Sequence, residues 1–113
     1  MAAPNFNLSN LHAVVDRNNF QQTGSNNDIM NLGDLKSKWK NFGWQAEEID
    51  WHNISAIHNY FCDTENVSKP KVLIANTIKG KGFSFSENNN EWHHAILTRK
   101  MYEKGLEELK NGN

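Results

Sequence analysis

Apolar residues along this chain fall into short blocks that alternate with segments of helical spacing, and that alternation organises the sequence. Leu11-His-Ala-Val-Val15 is a compact apolar run that stops at Asp16, as a buried parallel strand would. "KVLIANTI", from Lys71 to Ile78, is the clearest strand, with Val72, Leu73 and Ile74 expected to be buried on both faces. Between them "WQAEEID" reads as a weaker strand, since Glu47 and Glu48 interrupt it and require at least one wet face. The intervening segments have a different period. Leu35, Trp39 and Phe42 recur at i, i+4 and i+7, behind an N-cap at Asp34 and ahead of a C′ glycine at Gly43. Asn53 caps a second predicted helix with Ile54, Ile57 and Phe61 on its inner face. A third runs from Thr98, with Leu97, Met101, Leu106 and Leu109 available for burial, Gly105 weakening it and Asn111 to Asn113 fraying.

The order strand, helix, strand, helix, strand, helix predicts an α/β domain with a parallel sheet and right-handed crossovers. Such a sheet puts the residues after each strand at one edge: Asp16 and Asn18, Asp50 and His52, and Asn76 to Gly82. Open α/β sheets bind ligands at that edge. The polar segments 18–31 and 79–95 are expected to be long loops, and residues 63–70 a polar connection.

Composition narrows the field. At 113 residues the chain is read as a single domain, 1–113, able to bury a modest core. A formal charge of −1 offers no footprint for nucleic acid or an acidic membrane surface. The apolar runs are too short to span a bilayer, and residues 1–10 lack the features of a secretory signal. Cys62 is the sole cysteine, which excludes an internal disulfide and a cysteine metal cluster and makes a cytoplasmic setting the default. Asparagine is abundant but scattered, a genome-composition effect rather than a prion-like tract, and no repeat occurs at solenoid periods.

The candidate chemistry lies in the loops. In Asp16-Arg17-Asn18-Asn19-Phe20, a carboxamide oxygen and a turned main-chain carbonyl are hard donors suited to Mg²⁺; an Asx-turn closing the strand is the simpler reading of the same residues. "KGKG", Lys79 to Gly82, can bring N–H groups and an ammonium to a phosphate, but it matches neither the Walker nor the dinucleotide spacing, and a surface turn is the simpler reading. In Trp92-His93-His94, adjacent side chains are expected to point apart, so one histidine reaching an anionic ligand competes with two solvated histidines. Glu107-Glu108 reads as a solvated helix face, and no zinc signature, nucleophile elbow or catalytic carboxylate pair is present.

Taken together, "LSNLHAVVDRNNFQQTG", "DIMNLGDLKSKWKNFGW", "KPKVLIANTIKGKGFSFSENNNEWHH" and "YEKGLEEL" resemble the transketolase amino-terminal domain over essentially the whole chain, in the version found as a separate subunit. The resemblance implies a fragment of a three-layer thiamine diphosphate-binding α/β fold, with a small parallel sheet flanked by helices. It implies an enzyme that moves a two-carbon ketol unit between sugar phosphates with thiamine diphosphate and Mg²⁺. By that resemblance Asn18 gives its side-chain oxygen and Phe20 its main-chain carbonyl to the metal, and Asp16 supports the loop. His93, the catalytic candidate, reaches the diphosphate or substrate side, and Ile78 lines the cofactor wall. The implied partners are further copies of the chain in a homo-oligomer and a C-terminal transketolase subunit, with no nucleic acid and no membrane.

The resemblance is partial. The family's Gly-Asp-Gly motif, whose Asp is the anionic metal ligand, is expected upstream of where this sequence begins, as are histidines that contact cofactor and sugar. The glutamate that protonates the aminopyrimidine is expected from another domain or subunit. A truncated or split chain is therefore anticipated. Glu47 stands where relatives have an apolar residue, Trp51 where they often have Gly, and Ala95-Ile-Leu97 where Lys-Ala-Pro is usual. The alternatives are a non-catalytic remnant or interaction module, a deoxyxylulose phosphate synthase-like fragment, or a new reaction using His52, His93 or His94 as acid–base groups.

Overall fold

The computed structural model describes residues 1–62 and 68–112; most of the polar connection expected over 63–70, and Asn113, lie outside the described residues. In chain order the elements are α1 (Ala2–Asn5), β1 (His12–Arg17), β2 (Phe20–Gln21), β3 (Gly24–Ser25), α2 (Asn26–Ile29), α3 (Leu35–Asn41), β4 (Gln45–Asp50), α4 (Ile54–Cys62), β5 (Lys71–Asn76), a 3₁₀ turn (Asn90–His93) and α5 (Arg99–Lys110). They divide between two compact units, Met1–Arg17 with Leu32–Thr77, and Asn18–Asn31 with Ile78–Asn113.

The first unit is built on a parallel sheet in the order β1-β5-β4. β5 is central. Neighbours on both edges and cover on both faces explain its continuous apolar run, in which Val72, Leu73 and Ile74 are 0% exposed. β4 has the anticipated wet face: Ala46 is buried while Glu48 and Asp50 are exposed. β1 is parallel, as expected, but it is not buried. Its residues alternate between exposed and half-buried, with Val14 48% exposed, because among the described residues it pairs with β5 alone and so forms an edge.

Two helices of this unit, α3 and α4, start where their caps predict. Asp34 accepts from Ser37 N–H at 2.9 Å and from the Ser37 hydroxyl at 2.6 Å, and these bonds hold its carboxyl below the usual carboxylate range. α3 ends at Gly43, whose φ of 91° is left-handed and where a Cβ would meet Pro4 Cβ at 2.9 Å. Asn53 accepts from Ala56 N–H at 3.0 Å and caps α4. The inner face of α4 differs from the expected one. Ile54 is 76% and Phe61 46% exposed, while Tyr60 is buried and Ala56 and Ile57 are half-buried. Tyr60 packs edge-on to His12 at 6.4 Å and lies under Lys71 Nζ at 5.9 Å from its ring centre, and the Phe61 ring packs beside them, 6.1 Å from His12 and 5.1 Å from Tyr60.

Tyr60 carries an energetic cost. Its hydroxyl is buried and has no hydrogen-bond partner among the described residues. Burial, with a smaller contribution from Glu47, pushes its ionisation up to about 12. Tyr60→Phe is therefore expected to raise stability by about 1 kcal/mol in urea denaturation, since it removes an unsatisfied buried polar group. The raised phenol binds its proton more tightly in the folded state than in the unfolded one. Stability of the wild type should thus fall as pH rises above about 10 toward 12, and Tyr60→Phe should lose that component of the fall.

The second unit orders what the pattern left as loop. Residues 18–31 form an antiparallel hairpin, with Phe20 opposite Ser25 and Gln21 opposite Gly24, followed by α2. Ser25 caps α2, accepting from Asp28 N–H at 3.3 Å and donating its hydroxyl to Asp28 at 2.9 Å. These elements are too short to show a hydrophobic period. In α5, capped by Thr98, Gly105 is the buried residue. A Cβ there would lie 3.3 Å from Phe83 and 3.6 Å from Phe85, so the glycine admits the aromatic pair as well as lowering helix propensity. Leu97, Leu106 and Leu109 are exposed and, with half-buried Met101, line a cavity of about 300 Å³ instead of a closed core. Glu108 is not freely solvated. It accepts from Ser84 N–H at 2.9 Å and from the Ser84 hydroxyl, bonds that lower its carboxyl below the usual range, and Lys104 adds an ion pair at 3.5 Å. No helix among the described residues is long and apolar enough to cross a membrane.

Candidate functional site

Parallel register brings three strand ends to one edge of the sheet, with Arg17, Asn76 and Asp50 level with one another. The Asp16 carboxylate accepts from the Thr77 hydroxyl, which ties the end of β1 to the residue after β5. Sequence reasoning does not single out Thr77, because a hydroxyl one residue past a strand carries no pattern of its own. Arg17 pairs with Glu48 at 3.4 Å, and Asp50 accepts from His52 N–H at 2.9 Å. Asp16 and His52 therefore belong to the sheet unit, whereas Asn18, Phe20, Ile78, His93 and His94 belong to the second.

In the second unit Asn18 Oδ1 accepts from Phe20 N–H at 2.9 Å, across Asn19 at φ 64°. This is the Asx-turn. It does not exclude a ligand role, because a carboxamide oxygen has two acceptor positions and the turn uses one. The donor set fits the neutral part of a magnesium shell: a carboxamide oxygen at Asn18 and a main-chain carbonyl at Phe20, both hard. Among the described residues no group of three or more His, Cys, Asp and Glu side chains could hold a metal ion.

"KGKG" resolves in favour of the turn. Gly82 N–H donates to Glu87 at 3.1 Å, and Lys81 Nζ lies 3.8 Å from the same carboxylate, so an acidic side chain of the chain itself holds two of the groups that could meet a phosphate. The turn needs its glycines: Gly80 and Gly82 have φ of 70° and 96°. Ile78, just before it, is 36% exposed.

The histidine pair departs from expectation. His93 and His94 meet edge to face, with ring centres 4.5 Å apart, because the 3₁₀ turn replaces the extended chain in which neighbours would diverge. Asn89 caps that turn by accepting from Glu91 N–H at 2.9 Å, and the Phe85 ring packs on Trp92 with centres 5.0 Å apart. Both histidines are exposed. Such an arrangement can offer ring N–H groups to an anion.

The family described as "Transketolase, thiamine diphosphate binding domain" matches residues 1–110. An apulose-4-phosphate transketolase subunit of Phocaeicola vulgatus is 34% identical over 110 residues, which cover 96% of this chain and 39% of that protein. The 6-deoxy-6-sulfo-D-fructose transketolase subunit SqwG of Clostridium sp. is 38% identical over 104 residues, covering 91% of this chain and 38% of that protein. The chain thus spans about two-fifths of the length of these relatives. The crystal structure of transketolase from Campylobacter jejuni superposes with a TM-score of 0.86 at 24% identity, over 96% of this chain and 17% of that one, and shows the fold.

Proposed function

The chain belongs to the transketolase family, in its thiamine diphosphate binding domain, and on that basis we propose that it contributes part of a magnesium–thiamine diphosphate site for transfer of a two-carbon ketol unit between sugar phosphates. The observation that carries this reading is the turn at Asn18–Phe20, which sets a spare carboxamide acceptor two residues from a main-chain carbonyl in a chain matching that family from residue 1 to 110. Asn18 and Phe20 would hold the metal by their neutral oxygens. His93 would donate a ring N–H to the diphosphate or to a sugar phosphate, Ile78 would wall the cofactor, and Asp16 would brace the end of β1 through Thr77. Thiamine diphosphate, when bound, supplies the carbanion-stabilising chemistry. Both relatives described above are named as subunits rather than as whole enzymes, which supports a second, C-terminal polypeptide as the source of the glutamate that acts on the aminopyrimidine.

Asn18→Ala tests the reading. Titrated calorimetrically with thiamine diphosphate and Mg²⁺ in the presence of a C-terminal transketolase subunit, the wild type should bind and the variant should bind at least about tenfold more weakly. Absence of any binding or thermal shift in the wild type, with and without that subunit, would overturn the proposal. A second reading, a folded but non-catalytic module, is favoured by one observation: among the described residues no group of three or more His, Cys, Asp and Glu side chains could hold a metal ion. Ketol transfer that disappears in Asn18→Ala would remove this second reading.

A further inference from the structure

The hairpin and the histidine turn of the second unit are joined by polar contacts that the sequence does not announce. Gln22 sits at the tip between β2 and β3. Its main-chain carbonyl accepts from Asn90 Nδ2 at 3.2 Å, and its side-chain Nε2 lies 3.3 Å from His94 Nε2. His94 in turn meets the His93 ring edge to face, at an interplanar angle of 82°. Asn90 supports the bridge at some expense, since its Oδ1 is buried without a partner among the described residues. Turning that amide over would set its oxygen against the Gln22 carbonyl, two acceptors facing each other, so the orphaned oxygen accompanies the orientation that makes the bridge.

We propose that Gln22 and His94 are positioning residues: they clamp the hairpin that follows Asn18 and Phe20 to the 3₁₀ turn, and so fix the ring of His93. This deepens the proposed function and rests on it for its catalytic meaning. The chemistry of the contact is specific. In this orientation the amide nitrogen donates and does not accept, so His94 Nε2 is the acceptor and the ring proton sits on Nδ1. A histidine free in water favours the opposite tautomer, so the bridge leaves a spectroscopic mark.

Imidazole ¹⁵N spectra of the full chain, recorded at a pH where histidine is neutral, read that mark. The wild type should show His94 protonated at Nδ1. Gln22→Ala, at an exposed turn, should move His94 toward the Nε2-protonated form and shift the His93 ring signals, while main-chain amides of the sheet unit stay in place and show that the protein is folded. Gln22→Glu keeps the reach but reverses the polarity. It should convert His94 fully to a ring that donates from Nε2 and should keep the His93 signals close to those of the wild type. A wild-type His94 protonated at Nε2, or His93 signals unmoved by Gln22→Ala, would overturn the proposal. Titration with thiamine diphosphate and Mg²⁺ supplies the functional arm: binding should weaken about fivefold in Gln22→Ala and recover in Gln22→Glu. No binding by the wild type would overturn the proposed function, whereas the imidazole spectra decide the clamp independently.

Discussion

Leu73→Ala is expected to lower stability by about 3–4 kcal/mol, the cost of deleting a fully buried leucine side chain and leaving a cavity. Leu73 is 0% exposed in the central strand, level with Val14 on one side and Glu47 on the other. β1 and β4 each reach the sheet through β5, so neither has another strand to lean on among the described residues. Measured against a total of about 5–15 kcal/mol for a domain, the loss is a large part of the whole. Urea denaturation reads it directly. Val14→Ala is the control, since a side chain 48% exposed on the edge strand should cost about 1 kcal/mol or less. Equal losses at the two positions would mean that β5 is not the centre of the sheet. The same variant should loosen the strand ends, seen as faster hydrogen exchange at Thr77 N–H, which donates to Arg17 at 3.3 Å.

Gly80→Ala should cost about 3 kcal/mol, by a different mechanism. An added Cβ would lie 2.4 Å from the Ser86 carbonyl oxygen and 2.6 Å from its carbon, main-chain atoms that cannot swing aside. The left-handed φ of 70° adds about 1 kcal/mol for any residue with a Cβ. Ser86 is buried and donates its hydroxyl to the Gly80 carbonyl at 3.1 Å, so this crossing point cannot open without stranding a polar group. Gly82→Ala separates the two contributions. Its φ is 96°, but a Cβ there would meet nothing within 4 Å, and the loss should be near 1 kcal/mol. Amide spectra of Gly80→Ala should change mainly over residues 78–90 and on to His93. A loss no greater than that of Gly82→Ala would show that residue 86 yields to the new methyl group.

Much of this fold could be read from residues alone where the signal is local. The caps at Asp34 and Asn53 each accept the main-chain N–H that their position predicts, because a cap bond closes within three residues. Val72, Leu73 and Ile74 announce a strand covered on both faces, and Glu47 and Glu48 announce a wet one. The Asn18 turn also belongs to this class. Its bond to Phe20 spans two residues, whereas the metal role proposed for it rests on family resemblance rather than on spacing.

Other features needed the folded chain. Tyr60, not Ile54 or Phe61, is the buried residue of α4, and its surroundings include His12 and Lys71, which are distant in sequence. Gly105 serves as a landing site for Phe83, and Glu108 as the anchor of Ser84. Gln22 meets His94 across 72 positions of sequence. Pattern, caps and the alternation of strands and helices along the chain follow from the conformational preferences of neighbouring residues. Which side chains meet, which carboxylate is bonded and which strand lies at an edge depend on contacts between distant segments. A hydrophobic period states that a face will be buried, but it does not name the residues that will bury it.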